Sequence, residues 1–145
     1  MNVIPVVLSL CVLLGTVPAR CTNGMAQSEE TQEWRGQYGG EDAPMAQVIT
    51  RAAAWARLWR RLDKPVPQVD FTQNCGVVAF AGLRPTGGFA IEYLDPVTQG
   101  DDLLVRWRVR RPAPGSYVTQ ALARPWKVKV FTKPKGSLGV EQVQD

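Results

Sequence analysis

The chain reads as an α+β fold: an antiparallel sheet of about five strands, flat or folded into a sandwich, with one amphipathic helix packed on it. Three observations point there. Apolar residues alternate with basic ones along Leu103–Arg111 and again along Trp126–Val130, the period of two expected of half-buried strands. Thr50–Leu62 alone carries strong helical spacing. The 13 Gly and 11 Pro among 145 residues favour short strands and turns over long helices. With 45% hydrophobic residues and five Trp, one domain can build its core without a metal or a set of disulfides.

Residues 1–26 read as a signal peptide. Val3–Val17 is almost wholly apolar yet shorter than the roughly 20 residues a membrane helix needs. Small residues suit cleavage after either Ala19 or Ala26, and the expected location is outside the cytoplasm, periplasmic or extracellular. Arg20 before Cys21 argues against lipid attachment there. Cleavage after Ala26 leaves Cys75 as the sole cysteine, whereas cleavage after Ala19 leaves Cys21 free to pair with it. Cys75 itself reads as a small buried hydrophobe at the start of a strand. Removing residues 1–26 takes away Arg20 and lowers the net charge from +4 to +3, too little to name a partner.

Residues 27–44 form a polar segment, flexible at first and then an edge strand or docked arm near Trp34 and Tyr38. A domain is expected over 45–133. Met45–Ile49 is a short strand, and Thr50 is placed to cap the helix that follows. Trp55, Leu58, Trp59 and Leu62 fall on one face of that helix, with Arg57, Arg60 and Arg61 off it, so the oily stripe packs on the sheet. Asp63-Lys64-Pro65 stops the helix. Gly76–Ala81, then Pro85-Thr86-Gly87-Gly88, then Phe89–Leu94 reads as strand, tight turn and strand, a hairpin at the centre of the sheet. Asp95, Asp101 and Asp102 match no complete cation-loop spacing and read as solvated turn acids. Ser116–Leu122 is a shorter strand, and 134–145 a tail expected to fray.

From Leu103 to Lys135 there are nine basic residues and no acidic one. Arg106, Arg108 and Arg110, with Lys127 and Lys129, form two rows that would attract an acidic polysaccharide or lipopolysaccharide. Nucleic acid is not expected, because Trp107 and Trp126 fall on the apolar side of their strands rather than among the cations.

The chain has no histidine, which removes Ser-His-Asp and Cys-His sites and the commonest metal ligand. Asp70 and Glu92 are the acids near predicted strands. No catalytic residue, metal or cofactor is expected, and the protein reads as a binding module rather than an enzyme. The candidate binding residues are Arg84, Pro85, Thr86, Gly87 and Gly88, a stiff turn, with Gln120 placed to hydrogen-bond the open backbone of its glycines.

Ala54-Trp55 with Leu58-Trp59, Val69-Asp70-Phe71, Gly82-Leu-Arg-Pro-Thr-Gly-Gly-Phe89, Pro112–Gly115, Gln120 and Pro125-Trp126 together resemble the protease-complex subunit PrcB C-terminal domain family over roughly Ile49–Lys133. The resemblance implies an exported protein of the bacterial envelope. It also implies an accessory subunit of a protease complex, with a secreted or envelope protease as its partner.

Overall fold

The computed structural model describes residues 32–145; residues 1–26, read from sequence as a signal peptide and containing Cys11 and Cys21, and residues 27–31 lie outside them. The described elements are β1 (Glu33–Gly36), β2 (Met45–Ile49), α1 (Ala52–Arg61), β3 (Asn74–Phe80), β4 (Ala90–Tyr93), β5 (Val97–Gln99), β6 (Asp102–Arg110), β7 (Trp126–Thr132) and β8 (Leu138–Gln142). They make two sheets and one short helix, so the expected single sheet of about five strands gives way to its sandwich alternative. The first sheet runs β1-β7-β3-β2, antiparallel throughout. In the second, β4 and β5 lie end to end along one side of β6, and β8 runs parallel to β6 on its other side.

Three layers follow from the alternation of β3. Val78 and Phe80 meet the helix, while Cys75, Val77, Ala79 and Ala81 meet the second sheet, so this strand is buried on both faces. The helix applies Trp55, Leu58, Trp59 and Leu62 to the first sheet as its spacing predicts. There Trp34, Trp55, Trp59 and Trp126 pack edge to face at centroid separations of 5.2–5.9 Å. Each such ring withdraws on the order of 150–250 Å² from water, roughly 4–6 kcal/mol as an upper bound at about 25 cal/mol per Å². Gly76 makes this contact possible, because a Cβ there would lie 2.7 Å from the Trp55 ring. Trp55 donates its indole N–H to Pro67 O (2.8 Å) and Trp126 donates to Tyr38 O (2.7 Å). Among the described residues no helix is long and apolar enough to cross a membrane.

Four local expectations are corrected. Gly76–Leu94 is not a hairpin: β2 and β7 already occupy both edges of β3, so after Gly82 (φ 82) the chain leaves for the second sheet and β4 pairs with β6. The helix is capped by Arg51 in extended conformation, not by Thr50, and no side chain caps it, because Ile49 is still paired to Gly76 and the turn begins one residue later. Ser116–Leu122 forms no strand; two prolines and Gly115 precede it, and its stretch of chain touches the sheet network only through the Arg84–Ala123 bridge. The end of the chain does not fray. Leu138 and Val140 pack inward from β8, paired to Leu103 and Val105.

Candidate functional site

The Arg84–Gly88 turn lies, as the sequence suggests, beside the Ser116–Arg124 segment. Arg84 and Ala123 exchange two backbone hydrogen bonds (2.8 and 2.9 Å), and the Gly87 N–H donates to Thr119 O at 2.8 Å. These bonds leave no task for Gln120. Its amide donates instead to Val118 O within its own loop at 3.3 Å, so the side-chain contact to the glycines is not made. Gly87 is buried, and Gly88 takes a positive φ of 84 with Val118 and Pro112 against it; a Cβ on Gly88 would lie 2.5 Å from Val118 Cγ1. The glycines therefore let the 112–124 loop close onto the turn. Arg84 turns inward as well, donating from Nε and Nη2 to Ala81 O (3.1 and 2.6 Å) with its guanidinium 5.3 Å from the Phe89 ring centroid. The Thr86 hydroxyl donates to Gly87 O at 3.0 Å, and Pro85 is exposed.

A third segment holds this corner from beneath. Gly40 N–H donates to Arg124 O (3.1 Å), Arg124 N–H to Gln37 O (2.8 Å), Leu83 N–H to Asp42 O (2.9 Å), and the Gln37 amide to Phe89 O (3.0 Å). An Arg124–Asp42 ion pair lies alongside. Among exposed polar residues such as Ser116, Thr119 and Gln120, the corner shows three large apolar side chains to solvent: Leu83 is 43% exposed, Leu122 61%, and Tyr117 fully so. Across the Arg84–Ala123 bridge, strand alternation puts Leu83, Pro85 and Leu122 on the face opposite the Arg84 side chain. The sequence reading fixed on the turn's glycines and passed over these three large apolar residues. The signal was a tyrosine and a leucine inside a Pro- and Gly-rich loop, where nothing nearby can bury them.

The two basic rows do not join into one platform. Arg106, Arg108 and Arg110 lie on the outer face of the second sheet, because Val105 and Trp107 face inward. Lys127 and Lys129 lie on the first sheet and point toward the second, at its margin. Neutralisation reduces both rows. Arg108 donates to Glu92 (2.7 Å) and approaches Asp145 (3.3 Å), and Arg110 stands 3.8 Å from Glu92. The Arg108 hydrogen bond holds the Glu92 carboxyl below its ordinary range, and that carboxylate holds Arg108 above its own. Lys127 pairs with Glu33 at 3.2 Å, its side chain only 14% exposed.

A larger cleft, about 820 Å³, opens at the far end between Asp70, Asp102, Thr98, Lys129 and Lys133. Of its three acids, Asp70, Asp101 and Asp102, the first and last are engaged locally. Asp70 accepts from the Thr72 hydroxyl (2.6 Å) and N–H (2.9 Å), and Asp102 from the Ser137 N–H (2.7 Å) and hydroxyl (2.9 Å). Those bonds lower both carboxyls. Glu92 is on the outer sheet face and does not line this cleft, so Asp70 and Glu92 do not form a pair across it. Cys75 is buried, its thiol 3.7 Å from Phe131 O, and desolvation raises it against a smaller opposing pull from Lys133. Among the described residues no three His, Cys, Asp or Glu side chains converge on a common point.

Comparison with known families gives a match over one stretch. Residues 76–131 match the PrcB C-terminal family. The PrcB C-terminal match runs from Gly76 in β3 to Phe131 in β7 and so takes in the turn and the 112–124 loop, but not the Gln37–Asp42 segment that holds them from beneath. It leaves α1 outside, although the helix residues were part of the resemblance read from sequence. No curated protein and no solved structure shows a significant match to the chain.

Proposed function

We propose that this protein is an exported, non-catalytic accessory module that docks onto a protein partner within a protease complex. The observation that carries the reading is the corner. Backbone bonds among three chain segments hold a glycine turn and a proline-rich loop in one arrangement, and the surface they present includes Leu83, Pro85, Leu122 and Tyr117. A backbone already held in place loses little entropy on docking, and tyrosine supplies large contact area at low conformational cost. The PrcB C-terminal match supports a protease as the partner. The absence of histidine supports a binding rather than a chemical role.

The test is capture from a secreted and envelope fraction with tagged protein, comparing wild type with a Tyr117→Asp, Leu122→Asp double variant. Wild type is expected to retain a protease, and the double variant to retain at least fivefold less of it at unchanged melting temperature. Retention of no protease by wild type, or turnover in a panel of peptide and glycoside substrates, would sink the reading. Export has its own check. Amino-terminal sequencing of the mature protein should begin at Arg20 or Gln27.

A further inference from the structure

A second surface, at the opposite edge of the first sheet from β1, has the geometry to accept an added strand. β2 ends the strand order there, and among the described residues no backbone group pairs with its outer side. Which groups are open follows from the hydrogen-bond phase. Ala81 N–H donates to Pro125 O, so the odd-numbered residues of β3 direct their N–H and C=O toward β7 and the even-numbered ones toward β2. Phe80, Val78 and Gly76 therefore bond to Met45, Gln47 and Ile49. The backbone groups of Ala46 and Val48 point outward, unpaired.

Free edges invite pairing, and folded proteins guard them with charge, proline or brevity. The other outer strands follow that rule: β1 carries Glu33 and Arg35, β4 carries Glu92, β8 carries Glu141, and β5 is three residues long. β2 is Met-Ala-Gln-Val-Ile, five residues with no charge and no proline. Beside it runs a groove of about 260 Å³ between the strand and α1, floored by Met45, Ile49, Leu58 and Phe80 and walled by Arg57 and Arg61. Arg61 pairs with Glu41. Arg57 has no acidic partner among the described residues, and α1 contains no acidic residue at all.

We infer that β2 is a strand-addition site for an extended, acidic segment of a partner protein. The incoming backbone bonds to the open groups of Ala46 and Val48, alternate apolar side chains enter the groove, and a carboxylate meets Arg57. Charge chooses this occupant over a second copy of the chain. Pairing β2 with β2 would bring two helices bearing Arg57, Arg60 and Arg61 toward each other with no acid on either. The inference rests on the partner-binding reading for its purpose, and its test is independent of the corner.

The probe is a blocked, fluorescent hexapeptide, Thr-Val-Thr-Val-Thr-Glu, whose two valines and glutamate share one face as the groove and Arg57 require, with a lysine-for-glutamate analogue and an alternately N-methylated analogue as controls. Saturable binding of the first is expected, with amide shifts confined to residues 44–50 and 52–61 and at least tenfold weaker binding of both controls. Ala46→Pro removes one outward N–H and leaves the ladder to β3 intact, so it is expected to weaken binding at least tenfold. Should that variant melt early, Arg57→Glu, at an exposed helix position, serves instead and is expected to reverse the preference between the glutamate and lysine peptides. No binding, equal binding of the N-methylated peptide, shifts elsewhere on the molecule, or concentration-dependent dimerisation abolished by Ala46→Pro would each overturn the inference. The Tyr117→Asp, Leu122→Asp variant should bind the peptide normally. Loss of protease capture in that variant with peptide binding retained separates the two surfaces, and a β2 that binds nothing leaves the corner's role standing.

Discussion

Asp63 occupies the residue after the helix C-cap with φ 54, a place where helices usually put glycine. Its own N–H donates to Arg60 O (3.1 Å) and the N–H of Lys64 to Trp59 O (3.1 Å), two bonds that close the last turn. A side chain in the left-handed region costs about 1 kcal/mol, and a carboxylate at the negative end of a helix adds a few tenths. Asp63→Gly is therefore expected to stabilise the fold by about 1 kcal/mol, seen as a higher urea midpoint at unchanged slope. Gly88→Ala should act in the opposite sense. It adds a Cβ at φ 84 against Val118, so a cost of about 2 kcal/mol is expected, with faster amide exchange concentrated in residues 112–124. Sequence made the helix stop legible through Asp63-Lys64-Pro65. It did not tell which of the three takes the left-handed turn, because that depends on carbonyls offered by the helix one turn earlier.

At the scale of elements, the sandwich is joined by a single hydroxyl as well as by packing. Tyr93 on β4 reaches across to the first sheet, its oxygen 3.0 Å from Val77 O and 2.9 Å from Lys127 O, and burial pushes its ionisation up. Tyr93→Phe leaves both carbonyls without that donor and is expected to cost about 1–2 kcal/mol, measurable by chemical denaturation. β8 depends on a different tie, the Asp102 carboxylate that accepts twice from Ser137. Because those bonds lower the folded-state pKa of Asp102, their contribution is complete above the unfolded value of about 3.9 and fades as pH falls through the folded value. Amide protection in β8, taken relative to the intrinsic exchange rate at each pH, should fall below about pH 4, and Asp102→Asn should flatten that dependence; a β8 equally protected at pH 3 and 6 would refute the tie. The alternation of β6 and β7 was readable because each strand has one wet or marginal face. β8 was not, since Leu138-Gly-Val140 is too brief to show a period and its burial is conferred by β6 from 35 residues away. The corner divides the same way: a proline–glycine turn is a local signal, whereas its bonds to Thr119 and Ala123 belong to the tertiary fold.

For the molecule as a whole, the limits of the family match are not the limits of a folding unit. Residues 76–131 supply most of β3 through β7 and two of the corner's three segments, but not Gln37–Asp42 and not α1, which covers Val78, Phe80, Trp126 and Val128. Nor do they include β2, which guards one edge of β3, or β8, which guards the open side of β6 and buries Val140 against both sheets. A fragment confined to 76–131 would expose the helix-facing side of the first sheet, where Trp126 and Phe80 are each 2% exposed in the intact protein. It would also leave long apolar edges unpaired, the condition under which strands aggregate. Such a fragment is therefore expected to be unfolded or aggregated, while residues 32–145 give a cooperative transition and dispersed amide spectra. Adding back 45–75 restores the helix and β2 but not β8, so the longer fragment should fold only marginally, with β6 amides exchanging far faster than those of β3. A well-dispersed spectrum from 76–131 alone would show that the second sheet stands without its parallel strand and that the tryptophan layer under α1 is dispensable. Then the corner, rather than the three-layer stack, would be the unit that holds this protein together.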